Sequence, residues 1–189
     1  VATAITSISS PGIWFGDRDT TRALSRECNE FAARLKQDHP GRFGQFATLP
    51  LPDVEASLRE IEYALDVLRA EGLGLVTNIG GLYPGDPAFA PVFDELDRRS
   101  ATVYFHPTAA HGCANLLPGV QPATLEFPFD TTRAILSLLY SGTFTRCANI
   151  RWIFSHGGGA LASVAQRIVG MARFSPELNE RVQIGRAHV

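Results

Sequence analysis

Apolar positions along this chain recur at two spacings that take turns. Val1 to Ile8 is rich in β-branched residues and reads as a strand, ended by Ser9-Ser10-Pro11-Gly12. Between Thr21 and Lys36, Leu24, Cys28, Phe31 and Leu35 return every three or four residues, the mark of one helical face, and Pro40-Gly41 stops it. Phe43 to Leu49 is a short apolar run punctuated by Pro50 and Pro52. Asp53 can cap a second helix with Val54, Leu58, Ile61, Leu65 and Leu68 on its face, closed by Glu71-Gly72. Leu73 to Ile79 predicts a strand ending at Gly80-Gly81, Asp86 opens a helix carrying Phe89, Val92, Phe93 and Leu96, and Ala101 to Phe105 is again strand-like. His106 to Pro128 is polar and rich in Gly and Pro, long enough to read as a functional loop. Helical spacing resumes from Asp130 to Tyr140. Ile150 to Phe154 then predicts a strand running into Ser155-His156-Gly157-Gly158-Gly159, with a helix over Leu161 to Met171.

The unit is strand then helix, five times over. Apolar strands buried on both faces and separated by helices imply parallel pairing through right-handed crossovers. A doubly wound sheet and a (β/α)8 barrel share that rhythm, and periodicity alone does not separate them. No Gly-x-Gly-x-x-Gly turn or Walker lysine follows the first strand. In a barrel the polar residues at strand ends, Ser9-Ser10, Asn78, His106 and His156, converge on one mouth, which favours that reading. Closure needs eight strands and roughly 250 residues. The expected fold class is therefore α/β, an incomplete (β/α)8 TIM barrel. A chain whose first residue, Val1, already lies inside a strand reads as one that has been cut into.

Composition narrows the function classes. With 189 residues, 45% of them hydrophobic, the chain fits one domain with a substantial core. A net charge of -2 with 19% charged residues leaves no basic field for nucleic acid. No run of 18 apolar residues marks a membrane span, and the opening residues do not show the basic-then-apolar pattern of a signal peptide. Cys28, Cys113 and Cys147 are an odd number at unrelated spacings, which fits reduced thiols in a cytoplasmic protein rather than a disulfide framework or a zinc knuckle.

His106 follows Thr102-Val103-Tyr104-Phe105 and precedes Pro107, so its ring can reach a metal in the barrel mouth; the plainer alternative is a hydrogen-bonded capping histidine. His156 holds the matching place one unit later. Beside it, Gly157 and Gly158 open a turn whose N–H groups can meet a substrate carboxylate at the next helix, within reach of an imidazole that carries a proton. As a bare motif, three glycines make only a flexible turn. His111 reads as a loop or substrate-contact residue, since Pro107 and Gly112 oppose a helical His-x-x-x-His face. Cys113 has no local base, and His39 is a helix-terminal residue. Asp17, Asp86 and Asp130 each read as helix caps or turn acids, so the carboxylate a divalent metal wants is expected outside these residues. Trp14, Phe46 and Tyr83 lie near the presumed mouth, where a flat substrate can pack.

Several motifs in order carry a family resemblance: Ser9-Ser10-Pro11-Gly12, Phe43-Gly44-Gln45-Phe46-Ala47-Thr48-Leu49-Pro50, Gly80-Gly81 before Asp86-Pro87-Ala88-Phe89, Tyr104-Phe105-His106-Pro107, and Phe154-Ser155-His156-Gly157-Gly158-Gly159. Over about residues 1–175 the chain resembles the decarboxylase-like branch of the amidohydrolase superfamily, the group of aminocarboxymuconate-semialdehyde, resorcylate and methylsalicylate decarboxylases. The resemblance implies a distorted (β/α)8 barrel with one divalent metal, most often zinc and in some members manganese. It implies that His106 is a metal ligand and that His156 handles proton transfer. The family's first-strand His/Glu-x-His pair and eighth-strand Asp have no match here, which implies that strands two to six are present.

The implied activity is decarboxylation of a small aromatic or unsaturated carboxylic acid by a homodimer. Hydrolysis of a lactone or amide, or a non-catalytic barrel, are the rival expectations. Residues 176–189 read as a tail, and Ile184-Gly185-Arg186-Ala187-His188-Val189 resembles translated sequencing adapter, so His188 is not taken as a ligand.

Overall fold

The computed structural model describes residues 2–110, 112–113 and 116–186. Its centre is a five-stranded sheet of β1 (Ala4–Thr6), β2 (Phe43–Ala47), β3 (Gly72–Val76), β4 (Thr102–His106) and β5 (Arg151–Phe154), lying side by side in chain order. All four pairings are parallel. Sequential order is the barrel arrangement; a doubly wound sheet reverses direction at a switch point and would show a permuted order. The crossovers carry α1 (Arg18–Asp38), α2 (Val54–Glu62), α3 (Ala90–Arg98), α4 (Pro122–Tyr140) and the short α5 (Thr143–Arg146). Two further helices, Leu161–Ala172 and Pro176–Arg186, follow β5. No described helix is long and apolar enough to cross a membrane.

The two faces of the sheet differ sharply. Leu73, Leu75, Val103 and Phe105 point outward under the helices and are at most 5% exposed. Around them Phe93, Phe144, Trp152 and Phe154 build an aromatic layer; Phe105 stacks on Phe154 at 5.3 Å and Trp152 meets Phe144 at 5.1 Å between ring centroids. The opposite, inward face carries Phe46, Val76, Tyr104 and His106, all half-buried, and Ile153, which is 41% exposed. The helix side is thus covered, while the inward face is buried at Gly44, Gly72 and Gly74 and half-buried at most of its larger side chains.

The helix starts obey their caps. Asp17 accepts from the Thr20 N–H at 2.7 Å, Asp53 from that of Ala56 at 3.0 Å, and Asp86 from that of Ala88 at 2.9 Å. His39 ends α1, as expected of a helix-terminal residue, its N–H reaching the Leu35 carbonyl. The loop expected to run to Pro128 is shorter, because α4 begins at Pro122, whose fixed φ suits a first helical position, and continues through Pro128. The helix Pro176–Arg186 lies on α4: Arg181 donates to the Tyr140 carbonyl and Val182 is buried. Ala187, His188 and Val189 lie outside the described residues.

Candidate active site

β4 delivers His106 to the mouth. Thr102 to Phe105 are residue types that favour extended backbone, and Pro107, with no N–H, ends the ladder just beyond the ring. The Nδ1 of His106 lies 2.8 Å from the Pro107 carbonyl, an acceptor only, so Nδ1 donates and Nε2 keeps its lone pair. Burial lowers the pKa of His106, and the neighbouring His156 lowers it further, against the opposing pull of the Pro107 carbonyl. Burial thus favours the neutral ring, the form in which an imidazole ligates a metal.

β5 delivers His156 two residues past its own end. The two rings stand 5.6 Å apart between centroids, at 71° to each other, on the same rim. Phe127, from α4, closes one side of His106 edge-on at 6.0 Å. His156 itself is exposed and left-handed, with φ 54° and ψ 38°, a conformation that histidine tolerates better than most non-glycine residues. Its Nδ1 is 3.3 Å from the Ser155 hydroxyl.

Beyond Gly158 the turn is tied down before the next helix starts at Leu161, as expected: the Gly159 N–H bonds the His156 carbonyl at 3.1 Å, and that of Ala160 is shared between the Pro128 carbonyl at 3.3 Å and the Thr132 hydroxyl at 3.0 Å. Gly159 packs so tightly on α4 that a Cβ there would stand 2.2 Å from the Pro128 oxygen. The turn is docked, and a flexible glycine run does not describe it.

Trp14 lines a cavity of about 380 Å³ at the ends of β1 to β3, with Thr48, Asn78, Thr108 and Ala109 among its other walls. Thr108 and Ala109 continue the chain from His106-Pro107, so this cavity borders the histidine rim. Phe46 lines a different space, of about 410 Å³, between β1 and α1, and stacks on Tyr104 at 5.7 Å. Tyr83 lines neither of these two. Gly157 and Gly158 flank His156 on the rim, and His111 lies outside the described residues.

The residue that reasoning from sequence placed wrongly is Asp130. It does not cap α4. It sits in the helix interior, fully buried, where its carboxyl group accepts from Thr77 Oγ1, from Asn78 Nδ2 at 2.8 Å and from Tyr83 OH at 2.5 Å. Burial and the Asp130 carboxyl push the Tyr83 phenol well above its ordinary value, so it stays a donor. The available signal was a polar pair, Thr77-Asn78, ending an otherwise apolar strand, facing an Asp130-Thr131-Thr132 run in an apolar helix.

For a divalent metal, His106 fits as one neutral imidazole ligand. Among the described residues no group of three or more His, Cys, Asp or Glu is gathered to hold an ion.

The sequence model of the family described as Amidohydrolase matches residues 6–180. Decarboxylase yanB of Aspergillus niger is 39% identical over 176 residues, covering 87% of this chain and 48% of its own length. The 6-methylsalicylic acid decarboxylase of Penicillium expansum is 37% identical over 181 residues, covering 93% of this chain and 56% of its own. Among solved structures, one described as an amidohydrolase II superposes with a TM-score of 0.89 at 31% identity, over 95% of this chain and 58% of that one. The 5-carboxyvanillate decarboxylase of Novosphingobium aromaticivorans, solved with bound manganese, gives 0.82 at 27% identity, over 92% and 51%. The chain thus spans about half the length of the curated relatives it matches. By sequence and by fold, the chain belongs to the amidohydrolase family, in its decarboxylase branch.

Proposed function

We propose that the protein removes the carboxyl group of a small aromatic acid bearing a neighbouring hydroxyl, releasing carbon dioxide with the help of one divalent metal. The observation that carries this reading is the pairing of His106 and His156 on one rim, 5.6 Å apart between ring centroids. His106 would hold the metal through Nε2, with Pro107 fixing the ring through Nδ1. A zinc or manganese ion held there would supply Lewis acidity to stabilise the negative charge of a bound carboxylic acid. Manganese in a related decarboxylase supports that choice of metals.

His156 has the second role. Its imidazole, exposed at the rim, would hand a proton to the ring carbon that bears the carboxylate. The new C–H bond then keeps that proton, the C–C bond breaks, and its electron pair returns to the ring as carbon dioxide leaves. The cavity beside the rim, walled by Trp14, offers an apolar surface to the flat substrate. The complete enzyme is proposed to act as a homodimer, which light scattering on the purified protein checks.

The test is carbon dioxide release by the complete gene product from 6-methylsalicylate, 2,6-dihydroxybenzoate and a carboxymuconate-type acid, run beside acid release from lactones. Metal content is measured on the same preparation. Lactone opening with no carbon dioxide from any acid would replace this reading with metal-assisted hydrolysis.

A further inference from the structure

The hydrogen bonds of Asp130 go to Thr77, Asn78 and Tyr83, and two of these partners converge on the backbone that carries His106. Thr77, at the end of β3, grips that backbone twice: its N–H donates to the His106 carbonyl at 3.1 Å, and its hydroxyl oxygen accepts the Thr108 N–H at 3.1 Å. The same hydroxyl spends its one proton on Asp130. Asn78 repeats the pattern, with Nδ2 shared between Asp130 at 2.8 Å and the Ala109 carbonyl at 3.4 Å. Between these grips lies Pro107, whose carbonyl sets the His106 tautomer.

We infer that Asp130 is a positioning residue for His106, acting through Thr77 and Asn78. A hydroxyl is free to rotate, and it offers a lone pair to Thr108 in a fixed direction only while its proton is committed elsewhere. Asp130, fully buried in α4, makes that commitment. Residues 107–109 are thereby clamped between β3 and α4, and the His106 ring inherits their placement. The inference rests on the decarboxylase reading for its consequence in catalysis, but not for the geometry it asserts.

The variants that decide it are Thr77→Val, which keeps the shape and removes the hydroxyl, and Asp130→Ala, with Thr77→Ser and Asp130→Asn as conservative partners. Asparagine can still accept from Thr77 and Asn78 through its oxygen while its amide donates to the Tyr83 hydroxyl. Two measurements are made on the complete gene product: cobalt(II) affinity, and the tautomer of the His106 ring in metal-free protein by nitrogen-15 NMR. Thr77→Val and Asp130→Ala are expected to weaken cobalt(II) binding by about 10- to 100-fold, the range for residues that orient a ligand. Both are expected to lose the pure Nδ1–H tautomer. Thr77→Ser and Asp130→Asn are expected to stay near wild type in both readouts.

If Asp130→Ala does not fold, Thr77→Val decides alone. Should the protein bind no cobalt(II), the tautomer decides. Wild-type affinity and an unchanged tautomer in Thr77→Val would overturn the inference. A wild type that releases no carbon dioxide while Thr77→Val still disturbs the ring would remove the decarboxylase reading and leave the clamp standing.

Discussion

Replacing Gly159 by alanine tests how firmly the His156 turn is seated on α4. The backbone there has φ 66° and ψ -130°, a combination that L side chains rarely adopt, with a strain of about 1–3 kcal/mol. The added methyl would stand 2.2 Å from the Pro128 oxygen and 3.0 Å from Thr131 Cβ. Neither neighbour can swing aside, since one is main chain and the other is the stem of a fully buried side chain. The turn must retreat by about 1 Å to regain contact distance. That retreat breaks the shared bond from the Ala160 N–H, which contributes about 1 kcal/mol.

The expected cost of Gly159→Ala is therefore about 2–4 kcal/mol, a large share of the stability of a typical domain. Gly157→Ala is the internal control. It has φ 62° but nothing within 4 Å of an added methyl, so it carries the left-handed strain alone, about 1–2 kcal/mol. Urea denaturation midpoints of the two variants give the difference. Turnover gives a second measure, because a displacement of about 1 Å at a reacting group can lower the rate by about 100-fold. Equal midpoints for the two alanine variants would refute the claim that the turn is docked.

Three further outcomes are expected. His156→Asn, which keeps a residue tolerant of the left-handed conformation, should lower kcat by about 10²–10⁴-fold with an unchanged melting temperature, measured by carbon dioxide release and thermal unfolding. Phe105→Ala empties the centre of the aromatic layer under α3 and α5 and should destabilise the fold by about 3–5 kcal/mol in chemical denaturation. Arg98 and then Arg99 hold the Glu95 carboxyl down at about 2 from its ordinary 4.5. A depressed carboxylate stabilises the fold at pH above 4.5 and loses that contribution as pH falls towards 2. The gap in melting temperature between wild type and Glu95→Gln should accordingly close over that interval.

The barrel was legible in the sequence because it rests on local signals. Apolar runs such as Leu73 to Leu75 and Thr102 to Phe105, caps such as Asp17 and Asp53, and stops such as Pro40-Gly41 each act within a few residues of where they occur. The same locality placed His106 and His156 at strand ends. Asp130 was misread for the opposite reason, since its partners Thr77, Asn78 and Tyr83 lie about fifty positions away and meet it only through tertiary packing. Pro128 misled in a related way: it reads as a helix breaker, yet its carbonyl is an anchor for Ala160 and for the Thr132 hydroxyl. The left-handed backbone at His156 had no signature beyond the glycines after it.

Strands laid down in the order of synthesis have a mechanical corollary. Each strand leans chiefly on the one before and the one after, so cohesion passes along the row as it does between bricks in a single course. β3, with four of its five residues buried, is the best covered brick of the row. Deuterium uptake should therefore reach the amides of β3 late, with the histidine-bearing β4 also slow to yield.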